Sequence, residues 1–184
     1  MMIRANRFNL YLILAMIMGV AAVGCKSTDG QKKKLLSTLR LHQETNPDLM
    51  GRSETVEVYR ASPVGFTVDK APFLSEANVK EAKVVDVTGG FVLELQFDRQ
   101  GGWLLEQYTG AGRGKHILVF SQFVNPGEEK INKGRWLAAP QVHTHVTDGR
   151  FSFTPDATRE EAERIAQGLN NVAKKLATGE EVKW

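Results

Sequence analysis

The sequence has few residues of several kinds, and each shortage excludes a class of protein. Among 184 residues there is one cysteine, Cys25, so no disulfide forms within a single chain and no cysteine-rich metal site is available. After the first 24 residues no stretch is apolar enough to span a bilayer, which argues against a multi-pass membrane protein. No serine has a Gly-x-Ser-x-Gly setting and no pair of carboxylates stands out, so the sequence predicts no catalytic residue and no cofactor site.

The amino terminus has the pattern of a secretory signal. Arg4 and Arg7 precede an apolar run from Phe8 to Val23, and small residues lie at its end. The run has about 16 residues, fewer than the roughly 20 that span a bilayer. We therefore expect residues 1–24 to be a signal peptide that is removed.

The order Ala22-Val23-Gly24-Cys25 follows this run and resembles the lipobox of bacterial lipoproteins, although that family favours Leu where Ala22 stands. The resemblance implies that the Cys25 thiol carries a diacylglycerol, with acyl chains such as palmitate, and that Cys25 is the first residue of the mature chain. Lipid chains anchor a protein by burying about 0.8 kcal/mol per CH₂. Ordinary cleavage that leaves a free thiol, or an uncleaved anchor, are the alternatives.

The mature chain carries almost no net charge. Removing residues 1–24 leaves 22 Lys and Arg against 21 Asp and Glu, so charge gives no indication of a nucleic-acid partner. Residues 25–36 are polar and basic and are expected to form a lipidated tether. Its lysines either contact anionic headgroups or solvate the tether. Residues 37–184 are long enough for one domain with its own core.

Alternating apolar residues predict several antiparallel strands. The clearest is FVLELQF, Phe91–Phe97, which places its large apolar residues on one face and Glu94 and Gln96 on the other. With Ala82–Val87 it forms a predicted hairpin around TGG. Further strands are expected at Ser37–His42, Thr55–Arg60, Val64–Val68, His116–Phe123, Arg135–Val146 and Arg150–Phe153.

Two helices are predicted between and after these strands. Asp98 is a good N-cap for the first, and glycines at 110 and 112 end it. Thr158 and Glu161 form a capping box for the second, whose apolar stripe runs from Ala162 to Leu176. A one-sided sheet and two one-sided helices bury their faces against each other, which predicts an α+β fold, a two-layer sandwich of a mostly antiparallel sheet and two main helices. Trp103 and Trp136 are expected to pack in the core or at its rim.

Five segments follow one another between about residues 70 and 170: PFLSEANVKEAKV, GGFVLELQFDRQGGWLLEQYT, KHILVF, GRWLAAPQV and DGRFSFTPDATREEAERIA. In order and spacing they resemble the head subdomain of the first periplasmic domain of SecD and SecDF, accessory proteins of the Sec translocon. The resemblance implies an α+β fold and the handling of polypeptide in the periplasm, without a catalytic group. The charged transmembrane helices of that family have no counterpart here, so a proton-driven translocase is not expected.

The pair His143 and His145 is the only sequence element that resembles a metal-binding motif. On a strand, His143 and His145 would share a face, and His116 on another strand would be a third ligand. The same alternation fits two histidines on a solvated strand face, and we expect no metal site. The stretch GAGRGK at 110–115 lacks the spacing of a phosphate-binding loop and is interpreted as a flexible connection.

These observations together predict a non-enzymatic, membrane-anchored envelope lipoprotein whose domain binds polypeptide or another envelope protein, with a possible link to protein export. An edge strand near Pro140 would accept an extended peptide by β-addition. Lys26 and Ser27 after the cysteine favour the outer over the inner membrane, with the domain facing the periplasm. The alternatives are a structural subunit of an envelope assembly and a metal-dependent enzyme that uses His143 and His145. The sequence does not indicate an oligomeric state.

Overall fold

The structure is a computed structural model that describes residues 35–125, 128 and 130–182. The predicted signal peptide, Cys25 and the lysines of the tether lie outside the described residues. No helix within the described ranges is long and apolar enough to cross a membrane.

The strands pair in three antiparallel sheets. A four-stranded sheet has the order β4-β1-β7-β8, a three-stranded sheet has the order β5-β6-β9, and β2 and β3 form a separate hairpin. Their bounds are β1 Arg40–Gln43, β2 Ser53–Val58, β3 Val64–Asp69, β4 Leu74–Ser75, β5 Val79–Val87, β6 Gly90–Phe97, β7 Ile117–Ser121, β8 Arg135–Ala138 and β9 Arg150–Phe153.

Two α-helices and one short 3₁₀ turn, Glu76–Asn78, complete the described fold. Helix α1, Arg99–Ala111, begins where the Asp98 carboxylate accepts a hydrogen bond from the Gly101 N–H at 2.7 Å. Helix α2, Arg159–Ala177, begins with the predicted capping box: the Thr158 hydroxyl accepts from the Glu161 N–H, and the Glu161 carboxylate accepts from the Thr158 N–H at 2.8 Å. Both N-cap predictions are confirmed, because a capping side chain replaces the hydrogen bonds that the first helical turn cannot make.

The core lies between the helices and the two larger sheets. Its residues come from both sheets and both helices, and they include the fully buried Leu41, Leu93, Leu105, Val119, Ile165 and Leu169. A smaller cluster of Val58, Val68, Leu118 and Ala139 packs the β2–β3 hairpin on the four-stranded sheet. The predicted α+β class, mostly antiparallel with two main helices, is confirmed.

Two predictions about individual elements are wrong. Strand β8 ends at Ala138, and the predicted continuation to Val146 is irregular apart from one isolated bridge at Gln141, because Pro140 has no N–H for a sheet ladder. Trp103 is 58% exposed on the outer face of α1 and does not belong to the core. Trp136 is half-buried and packs edge-on against the imidazole of His42, as predicted for the rim of the core.

The chain enters the body across helix α2. The Asn171 side-chain amide donates to the Leu35 carbonyl at 2.9 Å, and Gly168 lies against the backbone of Leu36 and Ser37. A Cβ at position 168 would stand 2.8 Å from backbone atoms of both residues, so only glycine allows this approach. Residues 35 and 36, expected at the end of the tether, are therefore packed on the domain.

Candidate functional site

A cleft of about 630 Å³ opens between the carboxyl-terminal half of α2 and the start of β5. Its apolar lining consists of small side chains together with Leu176, which is 44% exposed. Charged and amide side chains of both signs surround this lining. The lining residues are Ala77, Val79, Lys80, Glu81, Asp98, Gln167, Asn170, Ala173, Lys174, Leu176 and Ala177. The cleft therefore presents an apolar floor with hydrogen-bond donors and acceptors around it.

The Asn170 side chain lies in the wall of this cleft and hydrogen-bonds to β5 as a neighbouring strand would. Its side-chain oxygen accepts from the Ala82 N–H at 2.8 Å, and its side-chain nitrogen donates to the Ala82 carbonyl at 2.8 Å. The paired backbone groups of Ala82 belong to the outer edge of β5, since β6 occupies the other edge. The amide therefore satisfies two groups that would otherwise be exposed at a sheet edge.

A second polar cluster ties the β2–β3 hairpin to the start of α2. The Arg60 N–H donates to the Asp156 carboxylate at 2.8 Å, and the Arg135 guanidinium donates to the Glu161 carboxylate at 2.8 Å. Burial by itself would raise the pKa of both carboxyl groups. The hydrogen bonds from Arg60 to Asp156, and from Arg135 and the Thr158 N–H to Glu161, outweigh burial and hold each pKa below its ordinary value. The geometry is that of a structural ion-pair network, since each carboxylate is fully engaged.

The predicted edge strand near Pro140 is not open to a peptide. The Leu137 carbonyl accepts from the Asp156 N–H at 2.6 Å, and the Ala139 N–H donates to the Tyr59 hydroxyl at 3.3 Å. Tyr59 holds this position with a left-handed backbone, φ 73°. β-Addition at this edge would have to displace both partners, so the structure does not support the site that the sequence suggested.

The histidines do not form the metal site considered as an alternative. His143 and His145 follow β8 outside any strand, so the face-sharing argument for chelation fails. The His145 Nε2 lies 3.7 Å from the Glu106 Oε1, whereas the His116 Nδ1 lies 2.7 Å from the Glu44 Oε2. Burial would raise the pKa of Glu44, but the hydrogen bonds from His116 outweigh it and lower that pKa. Within the described ranges no group of three or more His, Cys, Asp or Glu side chains is placed to hold a metal ion.

The remaining predicted residue, Cys25, lies outside the described residues. Conversely, sequence reasoning missed the cleft, because its lining comes from three separate parts of the chain. The sequence did not indicate the role of Asn170 either, because it lies on a polar face of α2 and its partner Ala82 is 88 residues away. These features define a small α+β domain with a cleft between α2 and β5 and a structural ion-pair network.

A family model described as the SecDF P1 head subdomain matches residues 53–173. The chain therefore belongs to the SecDF P1 head family. A search of curated proteins gave no significant match.

Solved structures agree with this fold. A structure of the membrane component SecDF, described as enhancing protein export, has a TM-score of 0.52 and 18% identity, and the match covers 81% of this chain and 70% of that one. A crystal structure of SecDF in its super-membrane-facing form has a TM-score of 0.52 and 17% identity, covering 79% of this chain. The match spans only 21% of that second chain, so at these identities the likeness is one of fold.

Proposed function

We propose that the chain is a membrane-anchored envelope lipoprotein whose head domain binds polypeptide segments during protein export. Residues 1–24 are its signal peptide, Cys25 carries the lipid, residues 25–34 are the tether, and the domain begins at Leu35. The domain faces the periplasm, from the outer membrane in preference to the inner. The protein acts by binding and carries out no chemical step.

The cleft between α2 and β5 is the observation that carries the binding proposal. It offers an apolar floor, an exposed leucine and flanking amide groups on a domain of the SecDF P1 head family. A relative by fold, SecDF, is described as a membrane component that enhances protein export. A polypeptide in transit is unfolded and presents alternating apolar side chains and unpaired backbone groups, which this combination of surfaces can contact.

The anchoring proposal is supported by the sequence around Cys25 and by the position of the tether. The leader, the small residues before the cysteine and the basic segment after it follow the order of a lipoprotein amino terminus. The chain then enters the domain in a fixed position on α2. A lipidated Cys25 would therefore hold the cleft within a tether's length of the membrane.

Site-specific crosslinking tests the binding site. A photo-crosslinking residue at Leu176 in the full chain, expressed in intact cells, is expected to capture a range of exported polypeptides. The matched control is the same residue at Val87, which is 45% exposed on β5 against 44% for Leu176, but does not line the cleft. Equal capture from both positions, or capture of nothing, would refute the proposed site. Capture of one partner at a fixed ratio would support a structural subunit of an envelope assembly instead.

A binding titration measures the same interaction with purified components. The full chain, solubilised in detergent, is titrated with an unfolded exported protein. Leu176→Glu is expected to weaken binding about tenfold, the effect of losing the burial of one leucine side chain. Val87→Glu introduces the same charge at the same exposure and is expected to leave binding unchanged.

A further inference from the structure

Two fully exposed apolar side chains form the tip of the loop between β1 and β2. Leu49 has a relative exposure of 107% and Met50 of 80%, more than any other large apolar side chain among the described residues. The backbone on both sides of these two residues is hydrogen-bonded to side chains. A surface that displays apolar groups from a fixed turn indicates a partner that receives them.

The turn that carries them is fixed by its own polar groups. The Asp48 carboxylate accepts from the Met50 N–H at 2.9 Å and from the Arg52 guanidinium at 2.6 Å, while the Asp48 N–H donates to the Ser53 hydroxyl at 2.8 Å. The Lys70 ammonium donates to the Gly51 carbonyl at 2.8 Å. These four hydrogen bonds hold the backbone on both sides of Leu49 and Met50.

A basic loop lies at the same end of the central sheet. Residues 112–116, GRGKH, lead into β7, and β7 begins where its antiparallel neighbour β1 ends. The His116 N–H and Nδ1 both contact the Glu44 carboxylate, and Gly112 lies beside the Gln43 amide. Arg113 and Lys115 in this loop are exposed. The loop, which the sequence predicted to be a flexible connection, is hydrogen-bonded to the segment after β8, since the Gly114 N–H donates to the Val142 carbonyl at 2.8 Å.

We propose that this end of the domain, the loops 45–52 and 112–116, rests on an anionic bilayer surface and inserts Leu49 and Met50 between the headgroups. An apolar tip with exposed cations at the same end of the sheet is an arrangement that binds peripheral proteins to anionic lipid, with about 1 kcal/mol for each Lys or Arg near the surface. The acids near the tip have partners: Asp48 pairs with Arg52, the Glu44 carboxylate contacts His116, and the Asp69 carboxylate accepts from the Ala71 N–H. Lys115 also acts electrostatically on Glu44. Neither Arg113 nor Lys115 forms an ion pair within the described residues, so both can meet lipid phosphates.

The tether is long enough for this contact, which rests on the proposed lipid anchor at Cys25. The chain enters the domain at the end of β1 that is far from the tip. From Cys25 to Leu35 it can reach roughly 35 Å at 3.3–3.6 Å per residue, whereas the extended stretch from residue 37 to 45 spans at most ~30 Å. The domain can therefore turn the tip toward the membrane that holds its anchor.

A photo-crosslinking residue at Met50 in the full chain tests the proposal. In intact cells we expect adducts with phospholipid. The control position is Trp103, an exposed apolar side chain on α1 that belongs to neither loop. Lipid adducts no more frequent from position 50 than from position 103, or adducts with protein in their place, would overturn the proposal.

Charge variants test the basic loop in reconstituted vesicles of phosphatidylethanolamine and phosphatidylglycerol. Arg113→Gln/Lys115→Gln is expected to reduce the lipid adducts from position 50 by about fivefold per cation at low salt. Lys130→Gln/Lys133→Gln removes two exposed cations beyond the other end of β7 and is expected to change nothing. Equal losses from both pairs would contradict a specific membrane-facing end. Release of the whole chain from membranes by alkaline carbonate is scored separately, because it would contradict the proposed anchor and not the contact.

Discussion

Replacing Gly168 by alanine tests how the start of the domain is packed. Inside a helix the change should stabilise by about 1 kcal/mol, because alanine has the higher helix propensity. Here the new Cβ would stand 2.8 Å from the carbonyl carbon of Leu36 and from the nitrogen of Ser37. Backbone cannot rotate away as a side chain does, so the entering segment must move, at a cost of typically 1–3 kcal/mol for overpacking.

The same movement stretches the hydrogen bond from Asn171 to the Leu35 carbonyl, worth about 1 kcal/mol. We therefore expect Gly168→Ala to lower the free energy of unfolding by about 1–3 kcal/mol, measured by urea denaturation followed through tryptophan fluorescence. Gly102→Ala is the matched control on α1, where the nearest atom is the Gly149 Cα at 3.4 Å, and it should be neutral or mildly stabilising. A Gly168→Ala protein as stable as the wild type would refute the close packing of the entering segment on α2.

Three further predictions concern the edge, the ion-pair network and the anchor. Asn170→Ala should lower the free energy of unfolding by about 2 kcal/mol in the same urea assay, because two backbone groups of Ala82 lose their partner. Since the pKa of Glu161 is lowered in the folded state, its contribution to stability is present above pH ~4.5 and is lost as the pH falls through the folded pKa. In Arg135→Met we expect a smaller difference between the free energy of unfolding at pH 7 and that below pH ~4, each measured by urea denaturation. An unchanged pH dependence would contradict the pairing. Cys25→Ser should abolish the incorporation of radiolabelled palmitate into the chain, and persistent labelling would show that another residue is acylated.

The helices could be predicted from the sequence because their signals are local. Asp98, Thr158 and Glu161 lie within three residues of the groups that they cap, so the sequence contains the whole interaction. The apolar stripe of α2 likewise depends only on helical spacing, although Leu176 at its end is exposed and lines the cleft. The segments that resemble the SecD head also identified the family, because their order along the chain survives at low identity.

The cleft and the exposed tip could not be predicted, because both depend on tertiary contacts. The pairing of Asn170 with Ala82 joins distant residues, and an asparagine on a helix face does not show whether it meets water or a strand edge. For residues 47–51, Pro-Asp-Leu-Met-Gly predicts a turn. It does not show that Leu49 and Met50 point away from the core, since that follows from how Asp48 and Lys70 fix the loop.

At the sheet edges, hydrogen bonds to backbone groups limit how the sheets of neighbouring molecules can pair. With the proposed lipid anchor, copies of this chain would diffuse in two dimensions and would meet more often than in free solution. Asn170 on β5, and Tyr59 and Asp156 beside β8, already hold the groups through which one copy would extend the sheet of another. Copies that meet on a membrane would therefore not join their sheets at these positions.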